Sequence, residues 1–352
     1  MDSHARRKTG FERRAEQEEA KLRAQYAKPP EPAPEPRAEI LDMSGIEQEK
    51  VVQPKYVIEG LVTTPGAWLI VGAMKAGKTV LAVQMALDYH AGNTFLQSYR
   101  MLESRAALVI EQDDPAGLAS IQDIIRVYPG IRHPESFFAV KKPDFVLGEG
   151  FIEWLEKEIR ARDLGLVVLD SYTKMRARRN RGGDIVKEES DDFGMLNELG
   201  KRTGCLIFVL HHPSKGSASL DWDEQSAGTY GIGMAVDGYL RISRFRELAI
   251  NAPERLLQVR GRHLGGAEMV LKFVEAKLSY DLVMSGSVSP LYPDVLTLER
   301  HFRGRKFSPK DVVIETGMSR PAVHRLIDRL LYGDILSRTG YGEYRLTNDG
   351  RS

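Results

Sequence analysis

From Tyr56 to about Asp281 the chain alternates short apolar runs with stretches of helical pattern. The runs read AWLIVG, AALVIEQD, FFAVKK, LGLVVLD, CLIFVLHH, GYLRIS, LLQVRG and MVLKFV. Such alternation predicts an α/β fold, a mostly parallel central sheet covered on both faces. Residues 1–54 differ: charges of both signs alternate there without a sustained apolar face, and the proline-rich KPPEPAPEPRAE follows. This composition predicts a disordered segment with an extended spacer. Its arginines read either as a solvated tail or as an electrostatic arm for a partner or nucleic acid. At the other end, MSGSVSP opens a linker expected over 284–296, and the rhythm changes again over 297–352. There SPKDVVIETG predicts a helix with Ser308 as cap and Pro309 at its first position, MSRPAVHRLIDRLLYGD a turn and second helix, and ILSRTGYGEYRLT a hairpin around Gly340 to Gly342.

At 352 residues and 42% hydrophobic content, the chain can bury a full α/β core and carry a small second domain. The single cysteine, Cys205, excludes a disulfide framework and, inside CLIFVL, reads as a buried structural thiol. No stretch approaches the roughly 18–20 apolar residues of a membrane span, and MDSHARRKTGFERR has no apolar signal region, so a cytoplasmic protein with no membrane contact is expected. Lys and Arg number 50 against 49 Asp and Glu. Nucleic-acid contacts must therefore be sought in local patches rather than in net charge.

One loop carries specific chemistry. LIVGAMKAGKTV places Gly72, Ala73, Met74, Lys75, Ala76 and Gly77 between an apolar strand and an amphipathic stretch that opens with Lys78, Thr79 and Val80. Glycines at 72 and 77 let successive backbone N–H groups curl around phosphate oxygens, with the helix start adding its positive dipole end. In this pattern Lys78 reaches the β- and γ-phosphates and the Thr79 hydroxyl ligates Mg²⁺. ATP or GTP with Mg²⁺ is the expected ligand. The run LGLVVLD delivers Asp170 at a strand's C-terminal end, where a carboxylate serves as the second Mg²⁺ ligand.

The remaining runs resemble the RecA-like hexameric helicases of the DnaB type and their compact RepA-type plasmid relatives, over about Tyr56 to Asp281. ALVIEQDDP resembles the segment in which a catalytic glutamate precedes a proline by two residues; the register on Pro115 puts Asp113 there, one methylene shorter. Glu111, on the same face of an extended strand, is the other candidate base. LIFVLHHPSKG resembles the γ-phosphate sensor segment, with His212 at the sensor position and His211 beside it. LLQVRGRHLGGAEMVLKF is similar to the family's Lys-x-Arg strand and glycine turn, whose cations enter a neighbouring subunit's ATP site. Here the pair is Arg260 and Arg262, with Gly265 and Gly266 in the turn. The resemblance thus implies a RecA-like core over 55–283 and a hexameric ring. One departure is that SAGTYGIGMAVDGYLRIS keeps Asp237 but lacks the arginine that relatives often place before its first glycine.

After Asp170, residues 171–187 carry Lys174, Arg176, Arg178, Arg179, Arg181 and Lys187 against one acid, Asp184. In RecA-like rings the loops after this strand and the next line the central channel, so these cations, with Lys215 in the second loop, are expected on a single-stranded DNA backbone. A solvated loop balanced by Glu188, Glu189, Asp191 and Asp192 is the other reading. The C-terminal pattern resembles a winged helix, with Ser319, Arg320, His324 and Arg325 at the start of a recognition helix that contacts origin DNA or a replication protein. Together these features lead to the expectation of an ATP-driven RepA-like replicative helicase of a plasmid, phage or mobile element. The alternative is a non-unwinding RecA-like ATPase that switches the winged helix.

Overall fold

The computed structural model describes residues 42–48, 54–129, 134–141, 143–176, 185–212, 235–262 and 265–347. Met43–Gln48 forms a short helix, α1, within the unit that spans Met1–Val52. The second unit, Gln53–Ser352, holds the elements that follow.

An antiparallel pair, β1 (Lys55–Ile58) and β2 (Val62–Thr64), leads into β3 (Gly66–Val71). The phosphate-loop sequence then runs into α2 (Lys78–Ala91). A small hairpin of β4 (Thr94–Phe95) and β5 (Tyr99–Arg100) precedes β6 (Ala106–Glu111), α3 (Ala119–Val127) and β7 (Phe137–Ala139). Next come α4 (Glu149–Arg162), β8 (Leu164–Asp170), the single turn α5 (Tyr172–Met175), α6 (Ile185–Thr203) and β9 (Leu206–His211). Four strands follow: β10 (Gly238–Ser243), β11 (Glu254–Gly261), β12 (Ala267–Val274) and β13 (Ser279–Ser285).

Nine of these strands form one sheet in the order β13-β12-β11-β10-β3-β9-β8-β6-β7. The strands from β10 to β7 in that order run parallel, and β10 to β13 form an antiparallel meander at one edge. The α/β, mostly parallel architecture read from the apolar runs is the one the chain adopts, and all eight runs are strands. Side chains alternate between the two faces. Trp68, Ile70, Val109, Val168 and Phe208 pack toward α2 on one side, and Leu69, Ile110, Val167, Leu169 and Val209 pack toward α4 and α6 on the other. Burial of one such side chain contributes about 1.5–3 kcal/mol. Cys205 is buried in the second layer, which raises its thiol pKa.

The region expected as a linker at 284–296 is built into the fold. Met284 and Ser285 finish β13, pairing with Val270 and Met269, and a helix α7 (Tyr292–Phe302) begins inside the expected linker. Gly286 N donates to Glu268 O at 2.9 Å, and Phe245, Val270 and Tyr292 form a buried cluster that anchors α7 on the sheet. Turn-forming serines and glycines mask the buried Val288 and Tyr292 in the sequence. Beyond lie α8 (Pro309–Thr316), α9 (Arg320–Tyr332) and an antiparallel pair, β14 (Leu336–Gly340) and β15 (Glu343–Leu346). Ser308 caps α8 as its sequence indicates: the hydroxyl accepts from Asp311 N while the Asp311 carboxylate accepts from Ser308 N. No described helix is long and apolar enough to cross a membrane.

Candidate nucleotide-binding site

The parallel strands end together, so β3, β6, β8 and β9 bring Gly72, Glu111, Asp170 and His211 to one edge of the sheet. A cavity of about 480 Å³ opens there, lined by Lys75, Gly77, Lys78, Thr79, Glu111, Asp113, Asp114, Asp170 and His212 among others. Gly77 has φ 101°, and a Cβ there would collide with the Tyr280 hydroxyl. A Cβ at Gly72 would meet the Ile242 carbonyl. Both glycines are therefore dictated by close approach as well as by loop shape.

Lys78 Nζ donates to Gly72 O at 2.9 Å, to Ala73 O at 3.1 Å and to His212 Nδ1 at 2.9 Å. Burial lowers its pKa to about 8, against the pull of the Asp170 and Asp113 charges. Thr79 Oγ1 donates to Asp170 Oδ2 at 2.5 Å. A hydroxyl and a buried carboxylate are hard oxygen donors suited to Mg²⁺, which keeps several of its waters and takes few protein ligands. Thr79 and Asp170 would hold that ion, which supplies charge neutralisation at the phosphates. Burial also raises the Asp170 pKa.

The two candidate bases occupy different surroundings. Glu111 is 3% exposed, and its Oε1 accepts from Asp113 N at 2.7 Å and from Asp114 N at 2.8 Å. Burial, with the Asp170 charge next, pushes its pKa up to about 8. Asp113 instead faces the cavity: its Oδ2 lies 3.4 Å from His212 Nε2 and its Oδ1 lies 3.8 Å from Lys174 Nζ. Because Lys78 donates to Nδ1, a neutral His212 carries its proton on Nε2, directed at Asp113. His211 is buried against the Tyr172 ring at 5.7 Å, and desolvation lowers its pKa to about 4.

Three residues that sequence reasoning missed hold the loop from behind. Arg244 Nη2 donates to Lys75 O at 2.9 Å, and Arg255 Nε donates to Ala76 O at 3.1 Å. Tyr280 Oη donates to the same carbonyl at 3.4 Å, while Gln84 exchanges two hydrogen bonds with the Tyr280 backbone. No local sequence signal marks them, because each contact joins residues that only the sheet order brings together.

Arg260 and Arg262 lie away from this edge. Arg262 N donates to Asp237 O, and Asp237 N to Ala67 O, so Arg262 stands level with the start of β3. That is four positions before Val71, about 13 Å at the rise of a strand. Arg260 Nη2 lies 3.6 Å from Glu268, and Arg262 Nε donates to Val236 O at 3.1 Å, with Asp237 3.9 Å away. Of the expected DNA contacts, Arg178, Arg179, Arg181 and Lys215 lie outside the described residues. Arg176 turns inward: it pairs with Glu189 at 3.0 Å and lies over the Tyr172 ring. Arg320 and His324 line a second cavity of about 270 Å³ with Ser308 and Lys310, and Arg325 is exposed on α9.

A phosphate loop at the carboxyl edge of a parallel sheet, with its lysine, hydroxyl and carboxylate converged on one cavity, defines the nucleotide-binding site of a P-loop ATPase. The chain belongs to the AAA domain family (AAA_25), which matches residues 30–218. Among solved structures it is similar to an isolated ATPase domain, at 8% identity over 62% of this chain and 84% of that one with a TM-score of 0.46. It is also similar to the RadB recombinase, at 17% identity over 60% and 89% with a TM-score of 0.42.

The contrast between the carboxylates gives a test. Asp113→Asn is expected to lower turnover at least about tenfold with ATP affinity retained, since a positioned base contributes roughly 10²–10⁴. Single-turnover rates and nucleotide binding of Asp113→Asn and Glu111→Gln decide it: a deep loss confined to Glu111→Gln would move the base to Glu111.

Proposed function

We propose that this chain is an ATP-hydrolysing RecA-like motor that acts on single-stranded DNA as a homo-oligomeric, hexameric ring. In this reading it is a RepA-like replicative helicase of a plasmid, phage or mobile element, working in the cytoplasm. Asp113 is the base, His212 reads the γ-phosphate, and Thr79 and Asp170 hold Mg²⁺. The carrying observation is the position of Arg260 and Arg262 at the sheet edge opposite their own phosphate loop, which supports their use on a neighbour's nucleotide. Lys174 at the mouth of the site, and the cations expected after it, then meet the strand. Residues 297–352 act as a winged helix whose Arg320 and Arg325 contact origin DNA, or else dock a replication protein.

One contact favours the switch alternative. Arg244 holds the loop carbonyl of Lys75, and its neighbour Phe245 packs on Tyr292 of α7 with ring centroids 5.8 Å apart. A nucleotide-dependent loop movement could reach the C-terminal elements by that route. The deciding experiment measures ATPase rate with and without oligo(dT), together with strand displacement on forked DNA. A motor shows stimulation and separates the duplex. An ATPase that separates nothing while its binding through residues 297–352 follows the nucleotide state is the switch.

A further inference from the structure

The Asp113 carboxylate stands between two positively polarised groups. Its Oδ2 faces His212, which is hydrogen-bonded to the phosphate-loop lysine, and its Oδ1 faces the Lys174 ammonium at 3.8 Å. Lys174 belongs to α5, the turn directly after the strand that delivers Asp170, and 54% of its side chain is exposed. The main chains of the two segments are stapled together by the residue between the candidate bases. Gln112 N donates to Asp170 O at 2.6 Å, and Gln112 Nε2 donates to Phe145 O at 3.0 Å and reaches Lys174 O at 3.5 Å. Phe145 N returns a bond to Gln112 Oε1 at 3.0 Å. With the backbone held, the mobile part is the Lys174 side chain, whose exposed rotamers exchange on the picosecond to nanosecond scale.

An exposed ion pair of this length is weak. A strand phosphate offers the ammonium a close partner and gains from counterion release, so it can displace the carboxylate. A carboxylate oxygen engaged by an ammonium is also a poorer acceptor for a proton from water. We propose that Lys174 is a positioning residue that couples strand binding to hydrolysis: without DNA it restrains Asp113, and a backbone phosphate of single-stranded DNA draws it away and leaves Asp113 free for the attacking water. This rests on the single-strand motor reading with Asp113 as base. It goes further in making Lys174 a link between the strand and the reacting centre, where a plain phosphate contact would only add affinity.

The test uses the full chain with Lys174→Met, which keeps length without charge, and Lys174→Arg, which keeps charge. ATPase rates are measured without DNA and at saturating oligo(dT), with kcat and KM separated. Lys174→Met is expected to raise strand-free kcat by about tenfold, a part of the roughly 10²–10⁴ available to a positioned base, with KM for ATP unchanged. Saturating oligo(dT) then adds little to its rate, whereas Lys174→Arg keeps the low strand-free rate and the stimulation. A Lys174→Met variant whose strand-free kcat stays at or below wild type overturns the inference alone, provided wild type is stimulated. So does full stimulation regained once oligo(dT) saturates. A wild type that ignores oligo(dT) overturns the inference together with the motor reading beneath it.

Discussion

Lys78→Ala lowers ATP turnover by at least about 10²-fold, the scale of losing one preorganised charge at a phosphoryl-transfer centre, and leaves the fold intact. The ammonium sits 2.9 Å from Gly72 O and from His212 Nδ1, inside the cavity that also holds Thr79 and Asp170. Burial lowers its pKa to about 8. The arriving phosphates supply the opposite charge that favours the ammonium, so the lysine and the nucleotide stabilise one another. Alanine removes that charge and the hydrogen bonds to the loop carbonyls and His212, yet it takes nothing from the apolar layers on either side of the sheet. Circular dichroism and thermal unfolding should match wild type, while nucleotide affinity and turnover collapse. Near-normal turnover in this variant would remove the basis for every role assigned around the cavity.

The second large effect is expected in mixtures. Arg262 lies about 13 Å along the strand direction from the end of β3, and Arg260 is on the neighbouring stretch of β11, so neither serves the phosphates of its own loop. If a neighbour's γ-phosphate is their target, Arg262→Ala subunits keep a sound phosphate loop but fail to complete the adjacent site, and the loss reaches about 10³ or more. Lys78→Ala subunits have the opposite defect. Mixed together, they form some sites from the intact loop of one and the intact arginines of the other, and turnover returns in part. Co-assembly is verified by light scattering before the rates are compared. Full activity of Arg262→Ala alone in the assembled state, or no recovery in proven mixed assemblies, sinks the trans assignment. Because Arg262 also donates to Val236 O, a matched melting temperature for the variant is the necessary control.

The division between what could be read along the chain and what could not follows interaction range. The phosphate loop was legible because strand, glycines, lysine and helix are contiguous, and Asp170 because a carboxylate ending an apolar run is a local pattern. The two candidate bases show where that ends. Glu111 and Asp113 are two residues apart, and the period of a strand puts both on one face. Only the folded turn decides that Glu111 is buried on the amides of Asp113 and Asp114 while Asp113 looks into the cavity. Similarly, Arg176 reads as one more cation in a basic stretch, yet it is paired with Glu189 one helix turn into α6.

By itself the sequence determined the eight runs that become strands, the nucleotide-binding loop with its metal-side carboxylate, and the capped helix at Ser308, because backbone sterics, side-chain periodicity and caps act over a few residues. The tertiary structure alone decided that β10 pairs with β3, that Arg244, Arg255 and Tyr280 thereby support the phosphate loop, and that 284–296 is part of a strand and a helix. Those outcomes depend on strand order and on burial between segments as far apart in sequence as Ala76 and Tyr280, 204 residues. Over such separations many pairings satisfy the same local pattern, and only the packed core selects one.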